Sequence, residues 1–234
     1  PGSEVPYFGP SKRLDYEFEM GIYVGIGNNL GEPIPIEKAE EHIFGMVILN
    51  DWSARDIQGW EYRPLGPFLA KNFASSISPW VVPLQALKPF EIELPPQDPE
   101  VLDYLKEEKR ISYNITLEIN LLTEKMDSPV NIAKSNFEFI YWTMSQMLAH
   151  HSITGCNMQT GDLLGTGTIS GPTKESRASL LESSWGGKEP ITLPNGEVRK
   201  FLEDGDVVIM KAFAQSDGFR IGFGEVRTKI LPAT

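Results

Sequence analysis

The residues that could do chemistry fall into four short segments. Glu17 and Glu19 belong to Leu14-Asp15-Tyr16-Glu17-Phe18-Glu19-Met20, where apolar and acidic residues alternate strictly. In a strand, residues i and i+2 point the same way with Cα atoms about 6.5–7 Å apart, so both carboxylates can converge on one hard cation. A solvated strand face would have the same pattern, but here the opposite face is apolar throughout, and Gly21, Gly25 and Gly27 leave room for something to approach. Asn50-Asp51-Trp52-Ser53-Ala54-Arg55-Asp56 follows the apolar run Phe44 to Leu49, which reads as a buried strand. Asp51 thus falls at a strand end, where ligands and metals are often held. Ser53 and Asp56 have capping-box spacing, predicting a short helix with Arg55 and Gln58 on its next turn. A plain turn and cap would account for Asp51 and Ser53 equally well, and Arg55 could pair with a core carboxylate. Lys71, between Leu69, Ala70 and Phe73 in Gly66-Pro67-Phe68-Leu69-Ala70-Lys71-Asn72-Phe73, needs an anion if partly buried, and the carboxylates above are candidates. Gly165-Thr166-Gly167-Thr168-Ile169-Ser170-Gly171-Pro172 is a small-residue strand and turn that lets backbone and a threonine hydroxyl come close to a ligand.

Taken together and in this order, the four segments resemble the fumarylacetoacetase family over nearly the whole chain. The continuation Gln58-Gly59-Trp60-Glu61-Tyr62 resembles its hydrolase branch. The resemblance implies a β-rich, β-roll-like catalytic domain over residues 1–234 that holds one divalent cation, Ca2+ or Mg2+, on Glu17, Glu19 and Asp51. A second, structural cation would lie near Asp51, Lys71 and Ser75. Gln58, Tyr62 and Thr168 would contact substrate, Arg55 and Lys71 would sit beside the leaving fragment, and Glu182 would orient a catalytic histidine. The implied activity is hydrolysis of a carbon–carbon bond in a small β-diketo acid, fumarylacetoacetate, giving fumarate and acetoacetate at the end of tyrosine and phenylalanine breakdown. A cytosolic homodimer is implied as well. A decarboxylase, isomerase or hydratase acting on another 2-oxo or β-keto acid would use the same carboxylates.

The sequence departs from the family in one respect. The family places a fourth carboxylate ligand, the general-base histidine and a small N-terminal domain ahead of the Glu-x-Glu strand, whereas only 16 residues precede Glu17 and none is histidine. The expectation is an excised domain, or an inactive metal-binding or dimerisation fragment, that folds but hydrolyses negligibly alone. His42, in a short amphipathic helix, and His150 and His151, at the end of a core-packed helix, are poor replacements for the missing base.

The elements that must carry these groups are mostly strands. Leu14, Tyr16, Phe18, Met20, Ile22, Val24 and Ile26 fall on one face of a period-two segment, and Ile111, Tyr113, Ile115, Leu117, Ile119 and Leu121 repeat the pattern. Val207 to Met210, after an Asp204-Gly205 turn, and Arg220 to Ile230 add two more strands. Glu37 to Phe44 reads as a short helix. The clearest helix is predicted from Asn136 to His151, with Ser135 and Glu138 as its capping box and Gly155 just beyond its end. Strands outnumber helices without regular alternation, which predicts α+β architecture with a mostly antiparallel or mixed β core.

Composition narrows the function classes. The chain has 234 residues, 41% of them hydrophobic and 23% charged, enough for one large domain with a sizeable core. A net charge of −11 with no basic face speaks against nucleic acid. Apolar runs such as Met46-Val47-Ile48-Leu49 are far too short to span a bilayer. The single Cys156 rules out an intrachain disulfide framework and suits a reducing compartment.

Overall fold

The structure is a computed structural model that describes residues 4–233. The strand that begins the sequence argument is β1, Phe18–Val24, and it pairs antiparallel with β2, Ile43–Asp51. β3 (Ser75–Ile77) lies on the other side of β2, with Val82–Pro83 further along that same edge. The second sheet is built from β4 (Ile115–Leu122), β5 (Val130–Asn136), β7 (Val207–Ser216) and β8 (Phe219–Lys229) in the order β5-β4-β7-β8. β6, Leu163–Gly165, returns to β1 and completes the order β6-β1-β2-β3 of the first sheet. Every strand pairing among the described residues is antiparallel. The architecture is α+β, β-rich with few helices.

One apolar core joins the two sheets. Tyr16, Phe18, Met20, Ile22 and Val24 from the first meet Ile115, Leu117, Ile119, Leu121, Met210 and Phe223 from the second, all buried. Each such side chain withdraws enough apolar area from water to favour folding by about 1.5–3 kcal/mol. Ile26, expected on the same face, lies beyond the end of β1 and is 63% exposed. The opposite face is not solvated either, for Asp15 and Glu19 are buried too. Nor do the glycines expected to admit a ligand do so. A Cβ at Gly21 would meet Leu163 and Val47, and one at Gly27 would meet the Met158 carbonyl, so neighbouring chain occupies that space.

The long helix expected from Asn136 to His151 is three elements. β5 runs to Asn136, whose side chain accepts the Glu138 amide and caps a single 3-10 turn, Phe137–Phe139. Ile140 is extended and ends that turn. The α-helix covers only Met144–Ser152, with Thr143 and Gln146 as its capping box. Of the residues at helical spacing there, Phe137 is buried and Ile140 half-buried, but Tyr141 is exposed. Gly155 does end the segment in a left-handed conformation, φ +87°. Glu37 to Phe44 is a 3-10 helix, Ile36–His42, with Ile43 already in strand. The strand expected over Ile111 to Leu121 is interrupted at Asn114, leaving Ile111–Tyr113 and β4.

The sheet-to-sheet core should be intolerant of cavities. Leu117→Ala, in the middle of β4, is expected to cost about 2–5 kcal/mol in equilibrium urea unfolding. A loss below about 1 kcal/mol would mean that the two sheets do not share this core.

Candidate metal and catalytic site

Backbone pairing on both sides of Glu17 and Glu19 assembles the site. On one side the Asp51 amide donates to the Glu17 carbonyl at 3.1 Å, and the Glu17 amide donates to Asn50 Oδ1 at 3.1 Å. On the other side the amides of Thr166 and Ile169 donate to the carbonyls of Met20 and Phe18. The carboxylates of Glu17, Glu19 and Asp51 consequently offer oxygens that all lie within 4.8 Å of one another. Two glycines fit around Glu19, one by leaving space and one by its backbone conformation. A Cβ at Gly165 would come 2.6 Å from Glu19 Oε2, and Gly167, at φ +79°, donates its amide to that same oxygen at 2.9 Å.

Two cations are built into this acidic cluster. Lys71 Nζ lies 2.5 Å from Glu17 Oε2 and 3.1 Å from Asp51 Oδ2. Arg55 donates from one terminal nitrogen to Glu17 Oε1 at 2.6 Å and to Gln58 Oε1 at 3.0 Å, and from Nε to Asp15 Oδ2 at 2.9 Å. Burial alone would raise the Glu17 pKa, but Lys71 and Arg55 outweigh it and hold the carboxyl below its usual range. Glu19 has no such partner. Burial pushes it up to about 7, against the Gly167 amide, and the negative charges of Asp51 and Glu17 add to the push. With all four carboxylates (Asp15, Glu17, Glu19 and Asp51) ionised, Arg55 and Lys71 would leave two negative charges uncompensated, and the raised Glu19 pKa shows how burial and its neighbours' charges resist that state without a further positive charge. One divalent cation would supply that charge, and an all-oxygen donor set suits a hard one.

Helix α1, Arg55–Glu61, presents Arg55 and Gln58 on one side, as the sequence predicts. Its cap differs from expectation. Ala54 is the N-cap without a side-chain bond, because Ser53 Oγ instead turns back to the Asp51 carbonyl at 3.2 Å. Asp56 is taken up by the Ser11 hydroxyl and the Lys12 amide. Glu61 carries out a task that sequence reasoning missed. Its carboxylate accepts the amides of Phe68, Leu69 and Ala70, folding the loop that delivers Lys71, and these donors hold its pKa below the usual range. Asp15 and Asn50 were missed as well, although Asp15 shares the alternating face with Glu17 and Glu19 and could have been read from it.

Glu182 lies in a short helix, α3, Leu180–Ser183, numbered after α2, Met144–Ser152. Its Oε2 accepts the hydroxyls of Ser170 and Ser179 at 2.7 and 2.8 Å, and Ser179 also bridges to Glu17. Thr168 is half-buried on the segment that pairs with Phe18 and Met20. Tyr62 is 44% exposed at the end of α1, with the Arg63 guanidinium over its ring rather than any hydrogen bond into the cluster. Ser75 faces Asp51 across the β2–β3 pairing, where Lys71 already occupies the carboxylate. The three histidines are engaged elsewhere: His42 with the Ile26 carbonyl, His150 with Tyr104 and His151 with Cys156.

Residues 1–231 match the family profile described as fumarylacetoacetate (FAA) hydrolase C-terminal. The chain is 57% identical over 231 residues to fumarylacetoacetase of Homo sapiens, covering 99% of this chain and 55% of that protein. It is 53% identical over 232 residues to the fumarylacetoacetase of Oryza sativa subsp. japonica, covering 99% and 54%. The chain thus spans about half the length of the curated relatives it matches. Among solved structures, fumarylpyruvate hydrolase from Pseudomonas aeruginosa in complex with Mn2+ and pyruvate superposes with a TM-score of 0.56 at 20% identity, covering 96% of this chain and 69% of that one. A fumarylacetoacetate hydrolase from Exiguobacterium antarcticum gives 0.56 at 20%, covering 95% and 58%. At these identities the structural likeness speaks to fold alone.

The raised Glu19 pKa has a measurable consequence in metal-free protein. The folded chain keeps the Glu19 proton up to about pH 7, whereas the unfolded chain releases it near the ordinary value of 4.5. Between those limits the folded state binds more protons, so stability falls as pH rises, by at most on the order of 3 kcal/mol. Thermal midpoints with chelator at pH 5 and pH 8 should show this decline, and Glu19→Gln should lack it. An identical decline in both proteins would assign the effect to another group.

Proposed function

The chain belongs to the fumarylacetoacetate hydrolase family, and on that footing we propose that it is the catalytic domain of a metal-dependent fumarylacetoacetase. The observation that supports this most is the acidic cluster of Glu17, Glu19 and Asp51, with Arg55 and Lys71 bound into it. Glu17, Glu19 and Asp51 would hold Mg2+ or Ca2+, and the same oxygens would accept Mn2+. A second, structural cation would have to share Asp51 with Lys71. When bound, the principal cation supplies Lewis-acid polarisation of a β-diketone.

The chain's own groups account for the rest. The Oε1 atom of Glu182 has no hydrogen-bond partner among the described residues, since both serines bind Oε2. It would accept Nδ1–H of a histidine other than the three present here and hold that ring as general base. The base takes a proton from water, and the water oxygen bonds to the substrate carbonyl carbon. The carbon–carbon bond then breaks, its electron pair leaving on the acetoacetate fragment as an enolate that is protonated afterwards. Lys71 and Arg55, whose N–H groups donate to Glu17, and Gln58, which accepts from Arg55, would stabilise that developing negative charge. Tyr62 and Thr168 would contact the fumaryl end or its carboxylate. A homodimer belongs to the same proposal, supported by the exposed Trp60, Leu65, Phe68, Leu69 and Phe73 around α1. A cytosolic location is supported by the single free cysteine. No helix among the described residues is long and apolar enough to cross a membrane.

Two variants test this reading. Glu17→Gln removes a charged ligand and should weaken Mg2+ or Mn2+ binding at least roughly tenfold in calorimetry; unchanged affinity would remove the cation from this site. Lys71→Met in the full-length protein should lower kcat and kcat/KM together by about 10². A rise in KM alone would show that Lys71 binds substrate without acting in the transition state.

A further inference from the structure

Asp15 is fully buried, and four N–H groups donate to its carboxylate. Oδ2 accepts Arg55 Nε and the Leu181 amide, both at 2.9 Å, and a terminal nitrogen of Arg55 pairs with it electrostatically at 2.9 Å. Oδ1 accepts the Leu180 amide at 2.8 Å and the Tyr16 amide at 2.9 Å. A carboxylate offers about four lone-pair sites, so this one is saturated. No substrate can reach it.

The donors come from distant parts of the chain. Arg55 lies 40 residues along the chain from Asp15, and Leu180 lies 165. Arg55 is the residue that grips Glu17, a ligand candidate, while Leu180 and Leu181 are the first two residues of the helix that carries Glu182. A four-residue helix does not hold itself, because nucleation costs more than one or two bonds return. We propose that Asp15 is the positioning residue that fixes the arginine and the α3 carboxylate to one point. Arg55 then keeps its two-sided grip, and Glu182 stays at a set distance from the cation ligands. With Asp15 neutralised, the remaining partners of Arg55 would be Glu17 and Gln58. The guanidinium would move onto Glu17 and compete with a cation for Oε1.

The functional half of this inference rests on the roles given above to Arg55 and Glu182, and the test separates the two. In the full-length protein, Asp15→Asn, Arg55→Gln and the double variant would be compared by Mn2+ calorimetry and by hydrolysis. Outer-shell changes of this kind typically cost 10–100-fold in metal affinity or activity. Asp15→Asn should weaken Mn2+ binding about tenfold and lower kcat by a similar factor with KM nearly unchanged. Amide exchange at Leu180 and Leu181 should accelerate. In the Arg55→Gln background the further loss of Mn2+ affinity from Asp15→Asn should nearly vanish, because both reach Glu17 through one contact, while the part of the kcat loss that runs through α3 should remain. Fully additive losses of Mn2+ affinity would overturn the proposal and leave Asp15 as a packing residue. Were wild type itself without diketo-acid hydrolysis, the proposed activity would fall while the Mn2+ cycle still decided the role of Asp15. Should Asp15→Asn fail to fold, the wild-type Arg55 Nε–H resonance decides: slow exchange with solvent supports the clamp, and exchange as fast as that of an exposed arginine overturns it.

Discussion

Everything in the site depends on Glu17 being gripped from both sides. One oxygen takes Arg55 and the other takes Lys71, so its position is set by two cations that arrive from different segments. Taking a carboxylate out of water is costly unless charge and hydrogen bonds return what hydration supplied. Glu17 receives that compensation, and its pKa falls. Glu19, one pleat away, does not receive it, and its pKa rises to about 7 for want of a positive partner beyond one backbone amide. The difference between these two neighbours is what the proposed cation would remove, by supplying Glu19 with a positive partner.

The surrounding architecture serves this arrangement. The alternation of β1 sends the glutamates one way and the core side chains the other, so the apolar contact with the second sheet is also what keeps the carboxylates in place. β2 ends at Asp51, and the chain turns at once into α1, which bears Arg55 and Gln58. The loop to Lys71 is held to the end of that helix by Glu61 through three backbone amides. The Gly165–Gly167 segment closes the other edge, where a Cβ at Gly165 would crowd Glu19.

Much of this was legible in the sequence where periodicity is strict. The Glu17/Glu19 pair, the strand-end Asp51, Arg55 and Gln58 on one short helix, and the half-buried Lys71 are all brought together as their spacing suggests. Apolar spacing misled at Phe137 to Tyr141, where Phe137 and Ile140 do pack on the core but from a 3-10 turn and an extended residue rather than from an α-helix. Asp15 shares the alternating face of Glu17 and Glu19 but its partners, an amide 165 residues away among them, leave no trace there, and Glu61 serves a loop whose shape its residue types do not give. Side-chain-to-amide bonds leave almost no trace in residue types. The Glu182 position came only from resemblance, and the serine pair that holds it, Ser170 and Ser179, had no sequence signal of its own.

The central claim is that the carboxylates of Glu17, Glu19 and Asp51 together hold one divalent cation. Anomalous scattering from crystals of the protein soaked in Mn2+ tests it directly. The account predicts a single strong peak within about 2.0–2.6 Å of carboxylate oxygens from all three residues. A peak elsewhere, or none with Lys71 still seated between Glu17 and Asp51, would contradict it.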